Sequence, residues 1–135
     1  MEATVSTSFH RNRRTNAEIN SIPYYFEGNG KVLVVDGGGS KRCAILGDQL
    51  ATMASENNWS GLVINGCIRD SKVISTIDVG VKALGTNPVP SIKDFRGEKG
   101  GRVTFGGIEF VPGQWLYADE VSVLFATAER LKWKS

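Results

Sequence analysis

A chain of 135 residues with 41% hydrophobic and 22% charged residues has the make-up of one soluble globular domain. Its net charge of +2 excludes the strongly basic balance of a nucleic-acid-binding domain, and no apolar run approaches the ~18 residues of a membrane span. Two cysteines outside any CxxC pair and a single histidine exclude a zinc site of the usual His/Cys kind. Cys43 and Cys67 read as buried, reduced thiols, and no apolar stretch near Met1 marks a secretory signal, so the expectation is a cytoplasmic protein.

Along the chain, Ala3 to Thr7 alternates weakly and reads as a short strand. Residues 8 to 30 are polar and irregular, punctuated by Pro23 and Gly28-Asn29-Gly30. They include the basic cluster His10-Arg11-Asn12-Arg13-Arg14, which lacks interleaved aromatics and reads as a solvated loop. Lys31 to Val35 is apolar on both faces, as in a buried parallel strand. Cys43 to Leu46 is a short apolar run, and Gly47-Asp48 then opens a helix through about Asn58, with Asp48 as N-cap. Leu50, Met53, Ala54 and Asn57 fall at helical spacing and predict the buried stripe. Gly61 to Asn65 is the next strand, which completes a βαβ unit with an expected right-handed crossover.

Ser71 to Ile77 reads as a short helix or turn, and Asp78 to Leu84 as a strand with Val79, Val81 and Ala83 on one face, ended by Asn87-Pro88-Val89-Pro90. Residues 91 to 101 form a polar loop. Four strands follow, at Arg102–Phe105, Ile108–Val111, Trp115–Tyr117 and Val121–Phe125, with Gly106-Gly107 as a hairpin signal and Pro112-Gly113 as a turn. Ala126 to Trp133 could close the chain as a helix.

Two motifs carry chemistry. The triple glycine Gly37-Gly38-Gly39 follows a strand, but Arg42 stands where a dinucleotide fingerprint needs its third glycine, and no GxxxxGK[ST] exists. It reads as a turn that needs glycine geometry. The second motif is Arg69-Asp70 at the end of Gly61–Ile68, with Asp48 in a Gly-Asp turn upstream. A solvated ion pair after a strand is the plain reading. The functional one uses each group: Arg69 for a bidentate contact to a carboxylate, Asp70 as one oxygen ligand of a hard cation, and the amides of Gln49 and Leu50 at a helix start for an anion. Mg²⁺ needs only one or two protein carboxylates, which suits this sparse set.

The chain resembles the regulator of ribonuclease activity A (RraA-like) family, which includes the class II 4-hydroxy-4-methyl-2-oxoglutarate/4-carboxy-4-hydroxy-2-oxoadipate aldolases. The resemblance rests on Val32–Ser40, Arg42–Gly47, Trp59–Asp70, Asp78–Leu84 and Trp115–Asp119, in order over residues 30 to 125, and its wording is closest to plant-like members. The aldolase branch is marked by an acid, a spacer and Arg-Asp, matched here by Asp48, residues 49 to 68, Arg69 and Asp70. The resemblance implies an α/β class, with a layered β/β/α swivelling-domain-like fold of a mixed sheet and flanking helices. It also implies a homotrimer with active sites near subunit interfaces.

For activity it implies retro-aldol cleavage of a 4-hydroxy-2-oxo acid to pyruvate, with oxaloacetate decarboxylation as a side activity. Asp70 would hold Mg²⁺ or another divalent metal such as Mn²⁺. Arg69 and Asp48 would be catalytic, and Gly47, Asp48, Gln49, Leu50 and Arg69 would bind substrate. The alternative the family implies is a non-enzymatic regulator that inhibits a ribonuclease, with a ribonuclease or helicase as partner. Residues 1–135 are expected to form a single domain, truncated at the N-terminus relative to the family. Residues 8 to 30 replace a family helix, Ser71-Lys72-Val73 occupy positions where an acid often follows Arg-Asp, and Gln114 stands where Asp is frequent. Phe105, Ile108, Phe110, Val111, Trp115, Leu116 and Tyr117 form more apolar surface than one small sheet face buries, which agrees with self-association.

Overall fold

A computed structural model of the chain describes residues 2–9, 27–90, 98–99, 102–118 and 123–127. Its strands are β1 (Glu2–Phe9), β2 (Val32–Asp36), β3 (Ala44–Leu46), β4 (Gly61–Asn65), β5 (Cys67–Ile68), β6 (Gly80–Lys82), β7 (Gly85–Thr86), β8 (Glu98–Lys99), β9 (Val103–Phe105), β10 (Ile108–Phe110), β11 (Trp115–Ala118) and β12 (Val123–Thr127). The described helices are α1 (Asp48–Glu56) and α2 (Ser71–Ile74).

β2 and β4 pair in parallel from Val32↔Gly61 to Asp36↔Asn65 and form the centre of a mixed sheet. Its order is β12-β11-β1-β2-β4-β6, with β8 also against β1. β1, β2, β4 and β6 run parallel, and β11, β12 and β8 are antiparallel to their neighbours. Successive strand residues face opposite sides, and here the two faces enter two cores. Leu33, Val35, Leu62 and Ile64 join Ala51 and Ala54 of α1, with Trp59. Val32, Val34 and Val63 join Val103, Phe110 and Leu116. Coverage on both sides explains why Val32–Val35 and Leu62–Ile64 are apolar at every position. Each such buried Leu or Val contributes about 1.5–3 kcal/mol relative to leaving it exposed.

The helical stripe is the expected one with Ala51 added at its centre. Ala51 and Ala54 are buried, Leu50 and Met53 pack at the edges, and Asn57 is the C-cap. Alanines at the centre of the contact let the helix backbone approach the sheet, and of the two only Ala51 escapes the sequence reading. Asp48 is not the N-cap. That position is Gly47, extended at φ −123° and ψ −175°, with no side-chain cap bond, and Asp48 is the first helical residue.

Gly61–Asn65 is the expected strand, and the apolar run continues beyond it to Ile68. The run breaks at Gly66, so β4 belongs to the main sheet and β5 to a second, all-parallel sheet ordered β3-β5-β7. α1 therefore links β3 of the small sheet to β4 of the large one. β6 is shorter than expected because the chain leaves the sheet after Lys82: Val79 and Val81 pack on the first core, while Ala83 is exposed. The 91–101 loop contains β8, and the rest of it lies outside the described residues. Ala126 and Thr127 belong to β12, and the remainder of the expected C-terminal helix lies outside the described residues, as do the basic cluster at 10–14 and residues 15–26.

β9 and β10 form the expected hairpin around Gly106 and Gly107 (φ +60° and +75°), the backbone a tight two-residue turn requires. The hairpin folds over the second core. Phe110 and Leu116 are buried, Phe105 and Ile108 partly so, and the Phe105 and Phe110 rings lie 4.8 Å apart between centroids. Among the described residues of this aromatic stretch, Phe110 and Leu116 are buried and Phe105, Ile108, Val111 and Trp115 are half-buried; the Tyr117 side chain lies outside the described residues. The large apolar side chains that are exposed, among the described residues, are Val73, Leu84 and Val89. Cys43 and Cys67 are buried and outside any disulfide, as expected. Among the described residues, no helix is long and apolar enough to cross a membrane.

Candidate active site

Parallel pairing sets the carboxyl ends of β3, β5 and β7 side by side: Leu46 against Ile68, and Ile68 against Thr86. Gly47-Asp48, Arg69-Asp70 and Asn87 leave the sheet together there, at the edge where α/β sheets place ligands. Two backbone bonds fasten the three ends. The Arg69 amide donates to the Leu46 carbonyl at 2.9 Å, and the Asn87 amide donates to the Ile68 carbonyl at 2.9 Å.

Asp70 adopts a left-handed backbone, φ +56° and ψ +35°, which Asp tolerates better than most residues. It precedes α2 but makes no side-chain cap there. Its carboxylate turns instead to the start of α1, where Oδ2 accepts from the Asp48 amide at 3.4 Å and lies 3.4 Å from Nη1 of Arg69. Both distances exceed the about 2.7–3.2 Å of a tight N–H···O bond. Arg69 and Asp70 are 38% and 34% exposed, so solvent reaches both. The Arg69 guanidinium also lies on Gly47: a Cβ there would stand 2.9 Å from Nε and 3.0 Å from Cζ and Nη2.

The structure therefore brings together the three charged residues that the sequence singled out, with Gly47 between them. The first helical bond of α1 is Ala51 N–H to the Gly47 carbonyl, 3.1 Å, so the Gln49 and Leu50 amides precede the helical ladder. Among the described residues neither has an acceptor, nor does the Asp48 carboxylate have a partner. Free first-turn amides carry partial positive charge and suit an anion.

The other motif has no such opening. In the Gly37–Gly39 turn, the amides of Gly37 and Gly39 donate to the Asn65 carbonyl (3.1 and 3.0 Å) and that of Gly38 to Asp36 Oδ1 (2.9 Å). Asn65 Nδ2 donates to the same Asp36 oxygen at 2.8 Å. With those amides committed, and Gly38 and Gly39 at φ +71° and +73°, the triple glycine is the turn expected of it. Asn87 was visible in the sequence only as part of a strand stop. Its Nδ2 donates to the Lys41 carbonyl (2.8 Å) and its Oδ1 accepts from Val89 (2.9 Å), which fixes the loop beside the site.

A divalent cation can be tested against this donor set. Among the described residues no three His, Cys, Asp or Glu side chains gather around one point. That excludes a cage made wholly of described side chains. Exposed Asp70, with Asp48 beside it, does fit a hard cation that keeps most of its water.

The family model described as RraA-like, Aldolase/RraA, matches residues 4–125. A relative from Dechloromonas aromatica (strain RCB), named "Putative 4-hydroxy-4-methyl-2-oxoglutarate aldolase", is 58% identical over 98 residues, 73% of this chain and 60% of its own length. One from Arabidopsis thaliana, bearing the same name with the number 3, is 50% identical over 103 residues, 76% of this chain and 62% of its own. The chain thus spans about three-fifths of the length of these relatives. A solved structure of the RNA-processing inhibitor RraA from Thermus thermophilis superposes with a TM-score of 0.86 at 37% identity, covering 97% of this chain and 77% of that one.

The mixed α/β domain is shared with the solved RNA-processing inhibitor, and the sequence with relatives named as aldolases. The chain belongs to the RraA-like family.

Proposed function

We propose that the chain is a divalent-metal-dependent class II aldolase that cleaves 4-hydroxy-4-methyl-2-oxoglutarate or 4-carboxy-4-hydroxy-2-oxoadipate to pyruvate. The observation that carries this reading is the meeting of Asp48, Arg69 and Asp70 where β3 and β5 end. The Gln49 and Leu50 amides bind the carboxylate next to the 2-oxo group. Asp70 would hold Mg²⁺ or Mn²⁺, with Asp48 beside it; when bound, the cation supplies Lewis-acid polarisation of the 2-oxo group.

Asp48 relays the proton that leaves the 4-hydroxyl. The C3–C4 bond then breaks, C4 becomes the carbonyl of the departing product, and the electron pair passes to an enolate. Arg69 donates to the enolate oxygen as its charge develops. Protonation at C3 releases pyruvate. Oxaloacetate loses CO₂ through the same enolate, so decarboxylation follows as a side activity. The swivelling β/β/α layering, the homotrimer and a cytoplasmic location belong to the same proposal and rest on family resemblance.

A second reading has its own observation, the superposition on an RNA-processing inhibitor. In that reading the chain binds a ribonuclease or its helicase partner and the Asp48/Arg69/Asp70 junction is idle. A lactate-dehydrogenase-coupled assay separates the two. Pyruvate released from either acid with Mg²⁺ or Mn²⁺, and not with EDTA, supports the aldolase. No pyruvate from either acid or from oxaloacetate overturns it in favour of the regulator.

A further inference from the structure

We infer that Gly47 is a positioning residue for Arg69, kept free of a side chain so that the guanidinium can lie across the backbone at the start of α1. The inference deepens the aldolase reading and rests on it for its catalytic consequence. A glycine at this position is not needed for backbone reasons. At φ −123° and ψ −175° the residue is extended, a conformation open to any amino acid. Nor is it the best helix start, since Ser, Thr, Asp or Asn would add a cap bond that this helix lacks. What glycine alone permits is the contact: Nε, Cζ and Nη2 of Arg69 all fall within 2.9–3.0 Å of where a Cβ would be.

Neither backbone can retreat. The Gly47 carbonyl begins the helical ladder at Ala51, and the Arg69 amide is bonded to the adjacent Leu46 carbonyl. A methyl at position 47 must therefore push aside the far end of the Arg69 side chain. That end is flexible and partly exposed, so the fold absorbs the change. The displaced group is the one proposed to meet the enolate, and misplacement by about 1 Å can cost about 10²-fold in rate.

The test uses Gly47→Ala, Arg69→Ala, the double variant and Arg69→Lys. The Arg69 Nε–H resonance is assigned in a ¹H–¹⁵N spectrum by its loss in Arg69→Lys. Gly47→Ala should shift that resonance, leave the melting temperature within a few degrees of the parent, and lower kcat for pyruvate release by about 10–10²-fold. In the Arg69→Ala background, the Gly47 change should cost nothing further, because the methyl then fills vacated space. An unmoved resonance in Gly47→Ala, or the same loss with and without Arg69, overturns the inference. A shifted resonance in a protein that releases no pyruvate upholds the positioning and overturns the aldolase reading alone.

Discussion

The Asp48 amide and the Asp70 carboxylate meet at 3.4 Å across two strand ends, so the first turn of α1 is faced by an acid that comes from a different strand. The contact joins the two halves of the candidate site. Because it is long, the carboxylate is available to a cation.

Replacing Asp70 separates its chemistry from its backbone. Asp70→Asn and Asp70→Ala should both abolish metal-dependent pyruvate release. Only the alanine places a residue poorly suited to φ +56°, at a cost of about 1–2 kcal/mol. Calorimetry should therefore find Asp70→Ala melting a few degrees below Asp70→Asn, and Asp70→Gly recovering stability without activity. Equal melting temperatures for Ala and Asn would show that the left-handed backbone carries no strain.

Arg69→Ala should lower turnover by about 10²–10³-fold, the loss expected when one stabiliser of transition-state charge is removed. Cleavage and oxaloacetate decarboxylation should fall together, since both pass through the enolate. A variant that loses one activity and keeps the other would place Arg69 outside the shared step.

Asp48→Asn tests proton relay apart from folding. As the first helical residue, Asp48 supports α1 through the helix dipole by about 0.3–1 kcal/mol, so the variant should fold and melt within a few degrees of the parent. Its kcat should drop by about 10²–10⁴-fold if the carboxylate moves a proton in the rate-limiting step. A change confined to KM would make it a binding group only.

Gly28→Ala is a stability test away from the chemistry. A Cβ there would stand 2.7 Å from Trp59 Cδ2 and 2.8 Å from Trp59 Cα, in a buried contact closed by the Gly28 amide to the Asn57 carbonyl at 2.7 Å. Backbone blocks the way here, unlike at Gly47, so overpacking should cost about 1–3 kcal/mol. Urea titration of the two glycine variants side by side should show a lowered midpoint for Gly28→Ala alone.

Light scattering should return about three times the 14.6 kDa of the chain if the homotrimer forms. A mass near 14.6 kDa would refute it.

What was legible in the sequence was what repeats or punctuates. Val32–Val35 and Gly61–Asn65 are continuous apolar runs, and they are the buried parallel strands; Gly106-Gly107 is a turn by composition and by dihedral. The small sheet was not legible, because strands of two or three residues are too short to display a period. The βαβ unit legible in the sequence is not what joins Asp48 to Arg69: direct pairing of β3 with β5 brings them together. Gly47 was read as an element of a turn, and only coordinates could show a guanidinium lying on it. That the β9–β10 hairpin covers the second core was not legible either, because its packing on β2 and β4 is a long-range event invisible in local hydrophobicity.

The β3-β5-β7 sheet also bears on how the molecule folds. Its three strands come from well-separated stretches of chain, each too short to hold together alone, and every pairing is parallel. Closing those loops is favourable only once β2, β4 and α1 supply a surface for Ile45, Leu46 and Ile68 to pack on. The junction of Asp48, Arg69 and Asp70 should thus be among the last features to assemble in refolding, and its amides among the first to exchange with deuterium in the native protein.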